Sequence, residues 1–130
     1  MEYIFPAVFS PEEGGYFVEF PDVPGCFTEG ADMREAFQNA EDALALMLWD
    51  MEEEGKEIPA PSLPATLAVK DGAQVALVHV DTLAYQRKHN SKAVKKTLTI
   101  PQWLDEAATE RNVNFSRVLQ EALIANLGLK

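Results

Sequence analysis

Two kinds of hydrophobic pattern divide this chain. Residues 3–9 alternate, with Tyr3, Phe5 and Phe9 on one side of an extended strand, and Pro6 marks that strand as an edge. Ser10, Pro11 and the Gly14-Gly15 pair make a turn, and residues 16–20 resume the alternation, so a hairpin is expected. A stiff turn through Pro21 and Pro24 leads to a third strand at 26–29, stopped by Gly30. The period then changes. Met33, Ala36, Phe37, Ala40, Leu44, Met47, Leu48 and Met51 recur at helical spacing. Asp32 stands where a cap belongs, with Glu35 placed to reach back. Glu52, Glu53 and Glu54 crowd the C-terminal end, where they oppose the helix dipole, so fraying or a cation is expected there. Pro59, Pro61 and Pro64 make residues 58–64 an extended connection. Residues 74–80 are almost continuously apolar, which predicts a strand buried on both faces or at least central in the sheet. A three-stranded meander, a long helix and a further strand make an α+β domain over residues 1–81. Residues 82–91 are polar and basic, a linker or a short helix leading to one.

Alternation returns at 95–101. Leu98 and Ile100 point one way, Lys95, Thr97 and Thr99 the other, and Pro101 closes the strand. Helical spacing resumes with Leu104, Ala107 and Ala108, and Arg111-Asn112 suits a helix end. Asn114 is a good cap for a second helix, whose apolar stripe is Val118, Leu119, Ala122, Leu123 and Leu127, with Gly128 to stop it. A lone short strand cannot bury one face and satisfy its backbone alone. An identical strand from a second copy would pair with it, placing Leu98 and Ile100 in the dimer interior and Lys95, Thr97 and Thr99 outward. A two-stranded ribbon with that basic, hydroxylated face fits the DNA major groove. Residues 92–127, within a C-terminal module of residues 92–130, in this order resemble the ribbon-helix-helix DNA-binding fold. The resemblance places base reading on Lys95, Thr97 and Thr99. Asn114, Phe115, Ser116 and Arg117, at a helix start with free amides, suit a phosphate.

Charge separates the same two segments. Up to Asp81 there are three basic residues and 17 acidic ones, a net charge of -14; beyond it there are eight and four, a net of +4. An acidic module joined to a basic one suggests different partners for each. Hydrophobic content of 47% is sufficient for a packed core. The single cysteine, Cys26, excludes an internal disulfide, and no apolar run approaches a membrane span. The start, Met1-Glu2-Tyr3, lacks a basic region followed by an apolar core, so a cytoplasmic location is expected.

Further motifs lie in the first segment: Pro6-Ala-Val-Phe9, Gly15-Tyr16, the run from Phe20-Pro-Asp-Val-Pro-Gly to Gly30, and Glu35-Ala36 with Asn39-Ala40 on the helix. With Trp103-Leu104-Asp105, Asn114-Phe115-Ser116 and Leu119-Gln-Glu-Ala-Leu123 they span nearly the whole chain, and together they resemble the HicB antitoxins. That resemblance implies a partial RNase H-like N-terminal domain that binds HicA, a small mRNA-cleaving toxin. It also implies a C-terminal module bound to the operon's own operator DNA. Tyr16, Glu19, Asp22 and Glu29 mark the expected toxin-binding surface.

An RNase H-type active site would need carboxylates converging on divalent metal ions. Glu19, Asp22, Glu29, Asp32 and Asp50 are available but form no spaced metal motif, so no catalytic residue, metal or cofactor is expected. His79 and His89 with one cysteine do not make a zinc site. His79 is expected in or just below the core, Cys26 packed, and Trp49 and Trp103 in packing roles. Two other readings stay open: a metal-dependent RNase H-like nuclease, and a ligand-sensing ribbon-helix-helix repressor without a toxin. The sequence also leaves a homodimer or a tetramer open.

Overall fold

A computed structural model describes residues 1–90 and 92–129; Ser91 and Lys130, at the ends of the linker and of the C-terminal module drawn above, lie outside the described residues. The chain divides into two compact units, Met1–Lys92 and Ala93–Lys130.

The first unit is built on four antiparallel strands, β1 (Glu2–Glu12), β2 (Gly15–Glu19), β3 (Phe27–Gly30) and β4 (Gln74–Asp81), in the order β3-β2-β1-β4. Helix α1 (Met33–Glu53) covers one face. Its stripe of Ala36, Ala40, Leu44 and Leu48 is wholly buried against Phe5, Phe9, Val18 and Val78. Alanine at two of these positions lets the helix approach the sheet closely, and Gly30 takes this further. A Cβ on Gly30 would overlap the Ala36 amide nitrogen and lie 2.5 Å from Ala36 Cα. Asp32 caps α1 by accepting from the Glu35 amide at 2.8 Å. Glu35 reaches back one residue further than expected, accepting from the Ala31 amide at 3.2 Å.

Three expectations are corrected here. β1 is interior in the sheet, flanked by β2 and β4. Pro6 is still tolerated, because β2 pairs only with residues 8–12 and β1 has β4 as its sole neighbour at Pro6. β4 is an edge strand: Val78 and Val80 are buried, but Leu77 is 55% exposed on the opposite face. His79 shares that outer face, exposed, with Nε2 3.1 Å from Glu2 Oε1. The apolar run thus reflects apolar residues on both faces, the outer of which leaves Leu77 exposed.

The C-terminal end of α1 does not leave its carboxylates unpartnered. Glu52 accepts from the Tyr3 hydroxyl at 2.6 Å and lies 3.1 Å from Thr82 Oγ1; Glu53 accepts from Trp49 Nε1; Glu54 pairs with Lys56 at 2.7 Å. Gly55 takes φ 70°, closing the helix with its amide on Glu52 O and that of Lys56 on Met51 O. Residues 82–89 form helix α2 (Thr82–His89), capped by Asp81, within this unit. Tyr85 packs against the core and meets Trp49 edge-on at 5.8 Å.

The second unit holds α3 (Gln102–Glu110) and α4 (Phe115–Asn126). Asn112 adopts φ 54° between them, and Gly128 φ 71° beyond α4. Residues 92–101 carry no regular secondary structure: the strand expected there has no ladder partner in a single chain. The stripe expected to be buried is not. Val118, Leu123 and Leu127 are 52%, 50% and 66% exposed, and no described residue of this unit is buried. Two short helices and one extended segment are too small to enclose a core alone.

Candidate functional sites

Parity and register decide which side chains of the first unit share a surface. Glu19 lies opposite Phe27, and Phe17 opposite Glu29, on neighbouring strands. These four occupy the sheet face turned away from α1. Tyr16, one residue from Phe17, points to the other face and packs against the core. Asp22 has a different task. Its carboxylate accepts from the Ser62 amide at 2.8 Å and from the Ser62 hydroxyl at 2.5 Å, pinning the Pro-rich segment to the turn before β3. Of the four partner-binding candidates, the structure therefore brings together Glu19 and Glu29 and sets Tyr16 and Asp22 apart.

The aromatics at this surface lie outside the set that sequence reasoning singles out. Phe17 and Phe27 lie 5.9 Å apart between ring centroids, and Phe27 is 62% exposed. Alternation alone could have found them, because Phe17 shares its face with Glu19, and Phe27 with Glu29. Ile4 and Leu77, each about half exposed, extend the same face across β1 and β4.

Titratable groups of this unit sit mainly in structural roles. Burial pushes the Cys26 thiol up to about 11, so it stays protonated and unreactive. Tyr3 is pushed up to about 12 by burial and by its hydrogen bond to the charged Glu52. Tyr85 is raised by burial and by Asp42 and Asp50, and Lys56 by its bond to Glu54. Among the described residues no group of three or more His, Cys, Asp or Glu is placed to hold a metal ion. No described helix is long and apolar enough to cross a membrane.

In the second unit, Lys95, Thr97 and Thr99 are all exposed, as are Leu98 (62%) and Ile100 (41%). At the start of α4, Asn114 Oδ1 accepts from the Arg117 amide at 3.0 Å. The helix start directs its remaining first-turn amides, those of Phe115 and Ser116, outward along the axis. The Ser116 hydroxyl accepts from Gln120, and Arg117 Nε lies 3.0 Å from Glu121 Oε1 in an exposed pair. Such a pair is weak and readily exchanged for another anion.

Comparison with known proteins covers both units. The family model described as HicB_like antitoxin of bacterial toxin-antitoxin system matches residues 5–123. Antitoxin HicB 2 of Photorhabdus laumondii is 31% identical over 124 residues, which are 94% of this chain and 86% of that protein. Among solved structures, a toxin-antitoxin complex from Streptococcus pneumoniae superposes with a TM-score of 0.63 at 29% identity, over 97% of this chain and 99% of that one. A HicA3 and HicB3 toxin-antitoxin complex matches 61% of this chain and 99% of its own, with a TM-score of 0.51 and 28% identity. The family model and the Photorhabdus relative are named as antitoxins, and both solved structures as toxin-antitoxin complexes. The chain belongs to the HicB-like antitoxin family.

Proposed function

We propose that this antitoxin neutralises a HicA-like, mRNA-cleaving toxin through its acidic first unit and represses its own operon through its basic second unit. The observation that carries the reading is the state of the second unit. It presents Leu98, Ile100, Leu104, Val118, Leu123 and Leu127 to solvent and buries none of them. Full burial of one such side chain is worth roughly 1.5–3 kcal/mol, so a second copy that covers this set is strongly favoured. Pairing residues 95–100 with their counterpart would complete a ribbon-helix-helix dimer. Leu98 and Ile100 turn inward, and Lys95, Thr97 and Thr99 turn outward to DNA base edges. The start of α4, with Asn114, Phe115, Ser116 and Arg117, then holds a backbone phosphate; the weak Arg117–Glu121 pair gives way at little cost.

In this reading the first unit is a partial RNase H-like domain without its chemistry. Its sheet serves as a binding surface, and its net charge of -14 up to Asp81 suits a cationic RNase. The protein acts in the cytoplasm, where toxin, message and operator meet.

The test uses the full chain, the HicA-like toxin of its operon and the promoter DNA of that operon. Equimolar antitoxin is expected to stop cleavage of a reporter RNA, and to retard promoter DNA but not a scrambled duplex. Cleavage at the uninhibited rate would overturn the toxin partnership. Equal retardation of both duplexes would overturn the operator reading.

A further inference from the structure

We propose that the sheet face opposite α1 seats the RNA-binding surface of the toxin, with Phe17 and Phe27 taking the place of stacked bases and Glu19 and Glu29 that of phosphates. This deepens the toxin partnership proposed above and rests on it.

Antiparallel sheets ordinarily turn one face to the core and a polar face to water. Here the second face carries Ile4, Phe17, Phe27 and Leu77, with three of them more than half exposed. Pro6 and Val8 on this same face are buried, so the exposed apolar surface lies in two parts, Ile4 with Leu77 and Phe17 with Phe27, and the second, set among carboxylates, marks an interaction site. The chemistry around it selects the occupant. On β2 and β3 the four residues form a checkerboard: each phenylalanine faces a glutamate across the strands, and the two rings touch along the diagonal at 5.9 Å with a 36° tilt. Glu2 adds a third carboxylate on β1, beside His79. A groove of about 600 Å³ beside the checkerboard, between the β1–β2 hairpin and residues 67–70, is lined by Phe17 and two carboxylates, Glu12 and Glu19, against one cation, Lys70.

A second copy of this face is a poor occupant, because apposed carboxylates repel. Nucleic acid is a poor one for the same reason, since its phosphates demand cations. A protein that handles RNA fits both halves of the pattern. Its arginines and lysines neutralise phosphates, and its aromatic or guanidinium planes stack on bases. Arginine can pair with a carboxylate through two hydrogen bonds while its plane lies on a phenyl ring. The checkerboard offers both partners within one strand spacing. The groove beside it can take a side chain projecting from the toxin.

The experiment uses full-length antitoxin and the toxin of its operon, with a fluorescent 2′-O-methyl RNA oligonucleotide as probe for the toxin's RNA site. Wild-type antitoxin is expected to displace the probe completely. The Glu19→Gln/Glu29→Gln double variant is expected to bind toxin about tenfold or more weakly, and Phe27→Ala by a similar factor. Glu41→Gln/Asp42→Asn, which removes the same charge from the exposed side of α1, is expected to stay within about twofold, separating this face from general charge attraction. Unchanged circular dichroism and melting temperature establish that each variant is folded. A ternary complex of antitoxin, toxin and probe would overturn the inference while leaving the toxin partnership intact. So would checkerboard variants that bind like wild type, or a loss shared equally by the α1 control. If wild-type antitoxin does not bind the toxin at all, the partnership and this inference fall together.

Discussion

Gly30 lies where β3 meets α1 with no room for a side chain, and Gly30→Ala tests that packing directly. The added methyl carbon would overlap the Ala36 amide nitrogen, with Ala36 Cα at 2.5 Å and the Glu35 carbonyl carbon at 2.8 Å. Carbon pairs prefer about 3.5–4.0 Å, so β3 and α1 must separate by about 1 Å. The obstructing atoms are backbone in the first turn of a capped helix, so no rotamer change relieves them. Overpacking of a well-filled site typically costs about 1–3 kcal/mol, and the upper end applies here. For a unit of this size that is a fall of roughly 10–20 °C in Tm. Gly25→Ala is the contrast. Gly25 has φ +84° but nothing within 4 Å of an added Cβ, so only a left-handed backbone cost of about 1–2 kcal/mol is expected. Both melts would be followed by Trp49 fluorescence in a Trp103→Phe background, so that only the first unit reports. A Gly30→Ala protein melting with wild type, or above Gly25→Ala, would refute the close strand–helix contact.

Other expectations are more local. Tyr3 has its pKa raised from 10.0 to about 12 in the folded chain. Its contribution to stability is therefore complete below pH 10 and lost as pH rises towards 12; Tyr3→Phe should show a shallower fall than wild type across that window in urea melts. Cys26, buried and pushed up to about 11, should resist iodoacetamide at pH 8 in the native protein and react at once in denaturant. Asp22→Asn should loosen the segment pinned through Ser62, costing about 1–3 kcal/mol and exposing residues 58–66 to protease. On DNA, Thr97→Ala should lose roughly 1–3 kcal/mol on the operator alone. Arg117→Ala should weaken operator and scrambled duplex alike and flatten the salt dependence.

Local rules were legible wherever a side chain acts on its own neighbourhood. The Asp32 and Asn114 caps, the left-handed Asn112 and the closing Gly128 all sit where their side-chain chemistry placed them. The α1 stripe was readable because a long helix against a sheet preserves its period. β4 was misplaced because Val75 and Leu77 fill outward positions with apolar residues, which erases the alternation that identifies an edge. Pro6 misled in a subtler way, since a strand can be interior along one part of its length and unflanked along another. Helix α2 has a weak pattern of its own; the contact of Tyr85 with Trp49, far away in sequence, ties it to α1. At the candidate surface, charge pointed to Glu19 and Glu29, but it could not reveal that Asp22 is occupied with Ser62. It also drew attention away from Phe17 and Phe27, which sequence habit assigns to cores.

The claim on which the functional account depends most is that the second unit is completed by a second copy of itself. Light scattering of the full-length protein at micromolar concentration tests it, with wild type compared with Ile100→Lys. Wild type is expected at about twice the 14.4 kDa chain mass or a multiple of that. Ile100→Lys, which would bury an unpartnered charge in the ribbon, is expected to lose that association with the Trp49 melt unchanged. Wild-type protein at single-chain mass with α3 and α4 still helical would contradict the claim.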